Sequence, residues 1–185
     1  MKLNGTFFPP GDKSISHRLA LLSLVATGKS VIDNFSNARD CMTSLRLVSE
    51  LGAVVKVLSK QLVIEGVGRK LKSGLNLDCE NSGTTIRLLM GILSANHGEF
   101  LLDGDDSLRN RPMERVAIPL RLMGGRIECL ESGKPPVRIT GETLRGIEYE
   151  LPTPSAQLKS AILFAGVQAD GQTQIIEKVP SRDHT

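Results

Sequence analysis

Three clusters of polar residues in this chain have the composition of anion sites, and each stands directly before an apolar run. The first is Gly11-Asp12-Lys13-Ser14-Ile15-Ser16-His17-Arg18, leading into Leu19-Ala20-Leu21-Leu22. The second is Asn81-Ser82-Gly83-Thr84-Thr85, leading into Ile86-Arg87-Leu88-Leu89-Met90. The third is Pro154-Ser155-Ala156-Gln157, leading into Leu158-Lys159-Ser160-Ala161-Ile162-Leu163. A helix start presents unpaired N–H groups and a partial positive charge, which suits phosphate or carboxylate. Three such starts in one small chain point to a mouth for a substrate with several negative charges.

Within the clusters each residue has a functional and a plain reading. Lys13 is a compact cation able to meet both phosphate and carboxylate. Ser14 either hydrogen-bonds a ligand phosphate or caps the helix. Arg18, four residues on and on the same face, either serves a ligand or carries its charge out to solvent. Gly83 marks a place where backbone approaches something closely, or a turn glycine of a capped helix. Arg111, just before Pro112 at the expected first position of a helix, could fork onto an anion or lie in solvent. Ser155 and Gln157 could be caps alone. Ser181-Arg182-Asp183-His184 could be a surface turn with Arg182 paired to Asp183. His17 and His184 are acid/base types without an evident partner in the sequence, and His97, beside Gly98, reads as a turn residue.

The elements that must position these residues are written as a repeat. Each polar cluster and its helix is followed by a glycine (Gly28, Gly98, Gly171), a strand (Ser30-Val31-Ile32, Glu99-Phe100-Leu101-Leu102, Thr173-Gln174-Ile175-Ile176) and a loop bearing a basic residue (Arg39, Arg109, Arg182). The glycine and the arginine recur together after 70 residues and again after 73. Two units continue into a second helix, Cys41 to Leu51 or Pro112 to Met123, closed by Gly52 or Gly124. Strands Ala53–Val57 and Gln61–Ile64 follow in one unit, Arg126–Leu130 and Val137–Thr140 in the other. The expected organisation is a lead-in over 1–12, repeats over 13–80 and 81–150, and an incomplete third repeat over 151–185. That third unit stops at Thr185, where its second helix should begin, so a longer protein or a partner is expected; the competing view is a capping half-repeat.

The first helices of the units are apolar nearly all round, which is the pattern of buried helices. In the first of them Ile15, Leu19, Leu22 and Ala26 form one stripe, and Leu21, Leu24 and Val25 cover most of the rest. The expected fold class is therefore α/β and inside-out, with helices within and sheets outside. Composition agrees: 40% of the 185 residues are hydrophobic, and the net charge of +3 suits anionic small molecules better than a nucleic-acid groove. Aromatic residues are 3% of the chain, too few to stack bases. Cys41, Cys79 and Cys129 are far apart, and with His17, His97 and His184 they show no metal-ligand spacing; reduced cysteines of a cytoplasmic protein are the expectation. The first residues lack the apolar run of a signal peptide, and no apolar stretch reaches transmembrane length.

Taken in order, the three clusters together with Arg109-Asn110-Arg111-Pro112-Met113 and Ser181-Arg182-Asp183-His184-Thr185 resemble the 5-enolpyruvylshikimate-3-phosphate (EPSP) synthase family, over the first half of such an enzyme. The resemblance implies two domains, each of three βαβαββ units with helices inside, and a crossing strand before about Gly11. It implies transfer of the enolpyruvyl group of phosphoenolpyruvate to the 5-hydroxyl of shikimate 3-phosphate, in the pathway to chorismate and aromatic amino acids, with no metal or organic cofactor. It assigns Lys13, also the catalytic candidate, to both substrates. It assigns Ser14, Arg18, Ser155, Ala156 and Gln157 to shikimate 3-phosphate, with Ser181 or Arg182 near its phosphate. Asn81, Gly83, Arg111 and Gln157 fall to the phosphoenolpyruvate side, where glyphosate binds in this family. The family's catalytic carboxylates belong to the other half, so these 185 residues are expected to bind but not to turn over, and to need the C-terminal half as partner. Two other readings stand beside this one. A UDP-N-acetylglucosamine enolpyruvyl transferase would carry a reactive loop cysteine in the second unit, whereas Cys129 falls in an expected strand. A non-catalytic binding module could use the same repeats.

Overall fold

The structure, a computed structural model, describes residues 4–7, 9–58 and 61–181. The secondary structure begins with α1 (Lys13–Val25), β1 (Thr27–Asp33), α2 (Arg39–Glu50), β2 (Val54–Val57) and β3 (Gln61–Val67). A second set follows: β4 (Leu75–Asp78), α3 (Gly83–Ser94), β5 (Gly98–Asp103), α4 (Asp106–Arg109), α5 (Glu114–Leu122), β6 (Arg126–Leu130) and β7 (Lys134–Gly141). The third set is β8 (Glu148–Glu150), α6 (Ala156–Gly166) and β9 (Gln174–Ile176). Residues 4–7 and 9–12 carry no regular secondary structure. Among the described residues no helix is long and apolar enough to cross a membrane.

The sheets follow the repeat. One has the order β1-β3-β2 with antiparallel neighbours. The second has the order β4-β5-β7-β6, in which β4 and β5 run parallel around the intervening α3. The third pairs β8 with β9 in parallel around α6. The sequence pattern found every strand of the repeat except β4 and β8. Both are short, with polar residues (Asn76, or Glu148 and Glu150) between few apolar ones, so neither stands out as an apolar run.

The inner layer is made of α1, α3 and α6. α3 is enclosed: Ile86, Leu88, Leu89, Met90, Ile92 and Leu93 are fully buried. Beneath it lie Val137 and Ile139 of β7 and Phe100 and Leu102 of β5, alternate residues of the inward faces of those strands. Gly91 sets the approach of α3 to α6, because a Cβ there would stand 2.1 Å from the Ala161 carbonyl oxygen. α2 lies against α1 and α3, and α5 lies against α3 and α6.

Three expectations need correction. α1 is buried on one side only. Ala20, Leu21 and Leu24 are enclosed against β3, whereas Ile15, Leu19 and Leu22 are 38–41% exposed. α6 similarly exposes Leu163 and Val167. The reason is geometric: among the described residues no helix takes, against α6 and α1, the place that α2 and α5 take against their pairs. Second, Pro112 is not the first residue of a helix; α5 starts at Glu114 and carries Pro119 instead. Third, Arg39 and Arg109 are not delivered by loops. Arg39 opens α2 and Arg109 closes the short α4, which Asp105 caps and which the repeat pattern did not show.

Replacing Gly91 with Ala should cost about 1–3 kcal/mol, since the added methyl meets backbone that cannot rotate away. Urea unfolding of the variant checks this.

Candidate functional site

The helix starts are capped by neighbours that the sequence left ambiguous. Asp12, not Ser14, caps α1, accepting from the Ile15 N–H at 2.7 Å. Ser14 is left exposed. Ser82 caps α3 and Ser155 caps α6, each accepting from the N–H three residues on. Capping is therefore the plain role of Ser155, and the first helical residues behind the caps are Lys13, Gly83 and Ala156.

Side chains tie the three starts together. Gln157 of α6 donates from Nε2 to Thr84 Oγ1 at 2.9 Å and accepts at Oε1 from Arg87 Nη1 at 2.9 Å. Arg18 of α1 donates from Nε to Ser160 Oγ of α6 at 3.0 Å and from Nη1 to the Ser14 carbonyl at 2.9 Å. A chain of polar contacts then runs from α1 to α3. Lys13 Nζ pairs with Asp40 Oδ2 at 2.6 Å, and the same oxygen stands 3.4 Å from His17 Nε2. His17 Nδ1 meets Ser44 Oγ at 2.7 Å, Ser44 Oγ meets Thr85 Oγ1 at 2.7 Å, and Thr85 Oγ1 meets the Ser82 cap at 2.6 Å. His17 does have partners, but they come from α2, 23 and 27 residues along the sequence. Burial lowers the pKa of His17 against the opposing pull of Asp40. For Asp40 burial acts upward, but Lys13 and His17 outweigh it and bring the carboxyl below its usual range.

The electrostatic centre lies at the start of α3. Arg87 is buried, donating from Nη1 to the Gly83 carbonyl and Gln157 and from Nη2 to the Pro112 carbonyl at 3.2 Å. Its Nε is buried without a partner. Burial first, then the like charges of Arg115 and Arg111, bring its pKa down to about 10. Among the described residues none of these three arginines has a carboxylate partner. Elsewhere Arg39, Arg46, Arg109, Arg121 and Arg126 are each paired with one, Glu80, Glu50, Asp103, Glu114 and Glu142 respectively. Gly83 is what lets the cationic groups close on the helix start. A Cβ on it would stand 2.7 Å from Arg111 Nη1 and 2.8 Å from Arg87 Nη1. Concentrated positive charge beside a helix start can hold an anion and stabilise negative charge developing on it.

The structure thus brings together Lys13, Ser14, Arg18, Gly83, Arg111, Ala156 and Gln157 at neighbouring helix starts, with Asn81 at the α3 lead-in. Ser181 is placed elsewhere in the network: its Oγ bonds Glu177 at 2.7 Å, and Glu177 pairs with Lys159. Arg182 and His184 lie outside the described residues. Arg87 was missed by sequence reasoning, although a lone arginine inside an otherwise apolar helix was the signal. A cleft of about 470 Å³ lies between the first two units, but Asp78, Glu80, Asp103 and Asp105 line it, and its Arg39 and Arg109 are already paired. Its charge is wrong for an anion.

Comparison with known proteins shows the family. The sequence profile of the family described as EPSP synthase (3-phosphoshikimate 1-carboxyvinyltransferase) matches residues 1–185. The chain belongs to the EPSP synthase family. It is 45% identical to a 3-phosphoshikimate 1-carboxyvinyltransferase of Thermoanaerobacter sp. (strain X514), over 99% of this chain and 44% of that protein. It is 48% identical to one from Chloroflexus aggregans, over 100% of this chain and 43% of that protein. A solved structure of EPSP synthase from Acinetobacter baumannii superposes with a TM-score of 0.92 at 44% identity, covering 98% of this chain and 42% of that one. The chain thus spans less than half the length of the EPSP synthases it matches.

Because Arg87 Nη1 is held by two acceptors, Gly83→Ala should displace Arg111. Inorganic phosphate should then bind roughly tenfold more weakly, the size of one lost charge-assisted hydrogen bond. Isothermal titration of the variant against the unaltered chain measures this.

Proposed function

We propose that these residues form the shikimate 3-phosphate side, and part of the phosphoenolpyruvate side, of a transferase that joins the two. One observation carries the reading: Arg87, Arg111 and Arg115, without a carboxylate partner among the described residues, crowd one helix start, and Arg87 is buried there. An ordinary folded surface gains nothing from that arrangement; a site that receives an anion does.

The roles follow from placement. Shikimate 3-phosphate docks with its phosphate toward Ser14, Arg18 and the start of α6 at Ser155, Ala156 and Gln157; the family resemblance alone adds Ser181 or Arg182. Phosphoenolpyruvate lies toward Asn81, Gly83 and Arg111, where its carboxylate and phosphate relieve the repulsion around Arg87. Glyphosate, also an anion, would contact the same region. Gln157 borders both substrates, because it bridges the starts of α3 and α6. Lys13, with its side chain 58% exposed, can leave Asp40 and place its ammonium between them. Its charge then stabilises the bridging oxygen that leaves carbon with the phosphate. The 5-hydroxyl oxygen of shikimate 3-phosphate bonds to the enol carbon and gives up its proton as the methylene carbon gains one; the carbon–oxygen bond to phosphate then breaks and the new methyl group loses a proton, which restores the double bond.

Domain closure over these groups requires the remainder of the enzyme, which we take to be the partner that supplies the acid/base carboxylates. Its docking side includes the exposed row of Ile15, Leu19 and Leu22. Reduced Cys41 and Cys79, both buried, suit a cytoplasmic setting.

Titration calorimetry should show one shikimate 3-phosphate bound per chain and no binding of a UDP-sugar. Arg18→Met should weaken the former by roughly 10–100-fold. A phosphate-release assay with both substrates should show no turnover by the chain alone and turnover when a C-terminal half is supplied. Preference for the UDP-sugar, or binding indifferent to Arg18, would overturn the assignment.

A further inference from the structure

Beside Lys13 lies a group of side chains with a different chemistry. One nitrogen, one oxygen and one sulfur donor, from His17, Asp40 and Cys41, lie within 4.8 Å of one another. His17 is 1% exposed, and its Nε2 is buried without a hydrogen-bond partner while facing Asp40 Oδ2 at 3.4 Å. Two ligands at about 2.1 Å from a tetrahedral metal ion stand about 3.4 Å apart, so this separation already suits a shared ion. The ring is pre-oriented: its other nitrogen meets Ser44 Oγ at 2.7 Å, the outer contact that commonly fixes a metal-binding imidazole. Burial favours the neutral imidazole that coordination requires. Cys41 is fully buried, and its Sγ stands 3.5 Å from the Lys13 carbonyl.

We propose that His17 Nε2, Asp40 Oδ2 and Cys41 Sγ form a site for a borderline-soft divalent cation of the zinc class. The donor set selects the ion: thiolate and imidazole favour zinc-like metals over magnesium or calcium, and three protein ligands leave a fourth position for water. On binding, the Cys41 thiol loses its proton to solvent, the ionised Asp40 and neutral His17 donate as they stand, and Lys13 gives up its 2.6 Å contact with Asp40. Lys13, more than half exposed, can swing away, so the ammonium and the metal compete for one carboxylate. The site draws on α1 and α2 alone and does not rest on the enolpyruvyl reading.

Cobalt(II) is the probe, titrated into the reduced chain without oxygen. One equivalent should raise a near-ultraviolet thiolate-to-cobalt charge-transfer band with the intense visible bands of a four-coordinate ion. Zinc should displace it. Cys41→Ser should abolish the charge-transfer band, whereas the double variant Cys79→Ser, Cys129→Ser should retain it. His17→Asn should weaken binding at least tenfold, and Lys13→Met should tighten it about tenfold by removing the competing cation. Circular dichroism checks the fold of each variant, and the Lys13 and double-cysteine variants carry the test if Cys41→Ser does not fold. Absence of the band in the unaltered chain, its survival in Cys41→Ser, or no tightening in Lys13→Met would overturn the proposal. None of these readouts depends on substrate binding, so failure here leaves the transferase assignment untouched.

Discussion

The buried guanidinium of Arg87 is the constraint around which this end of the molecule is arranged. Taking an arginine out of water is costly unless its donors are met, and placing it beside Arg111 and Arg115 adds repulsion. The fold meets part of that cost with neutral acceptors: the Gly83 and Pro112 carbonyls and Gln157 Oε1. None of them cancels the charge. The result is a helix start whose field is met by no carboxylate among the described residues, and which an anionic ligand would complete.

Keeping that charge in place needs rigid neighbours, and the packing supplies them. α3 is enclosed by the strands of its own unit and by α6, at the close approach that Gly91 permits. Gln157 then bonds across from α6 to both Thr84 and Arg87, and Arg18 reaches from α1 to Ser160. The chain from Lys13 through Asp40, His17, Ser44 and Thr85 to Ser82 joins the remaining pair of helix starts. Movement of one start is therefore felt by the others, which suits a site that must read two anions at once. The exposed row on α1 belongs to the same logic: two of the three grooves between inner helices are filled by α2 and α5, and the third is open among the described residues.

Much of this was legible in the sequence because it is written in local patterns. Polar clusters before apolar runs marked all three inner helices, and the recurrence of Gly28 with Arg39 at Gly98 with Arg109 marked the units. What the sequence concealed depends on contacts between distant segments. Ile15 and Leu19 are as apolar as Leu21, and what distinguishes them is that no helix among the described residues covers them. Arg87 looks like one charge in a hydrophobic helix until Arg111 and Gln157 are brought to it. The meeting of His17 with Asp40 and Cys41 joins two helices, so no spacing rule within one element shows it. Ser14 was outcompeted as a cap by Asp12, whose carboxylate reaches the same turn from two positions earlier.

The central claim, that three helix starts converge on one anion site, is tested most directly by backbone amide resonances recorded while shikimate 3-phosphate is added. The account predicts saturable shifts concentrated at Lys13 and Ser14, at Gly83 and Thr84, and at Ala156 and Gln157, all following one binding curve. Shifts confined to a single helix start, or strongest at the acidic cleft around Asp78 and Asp103, would contradict it.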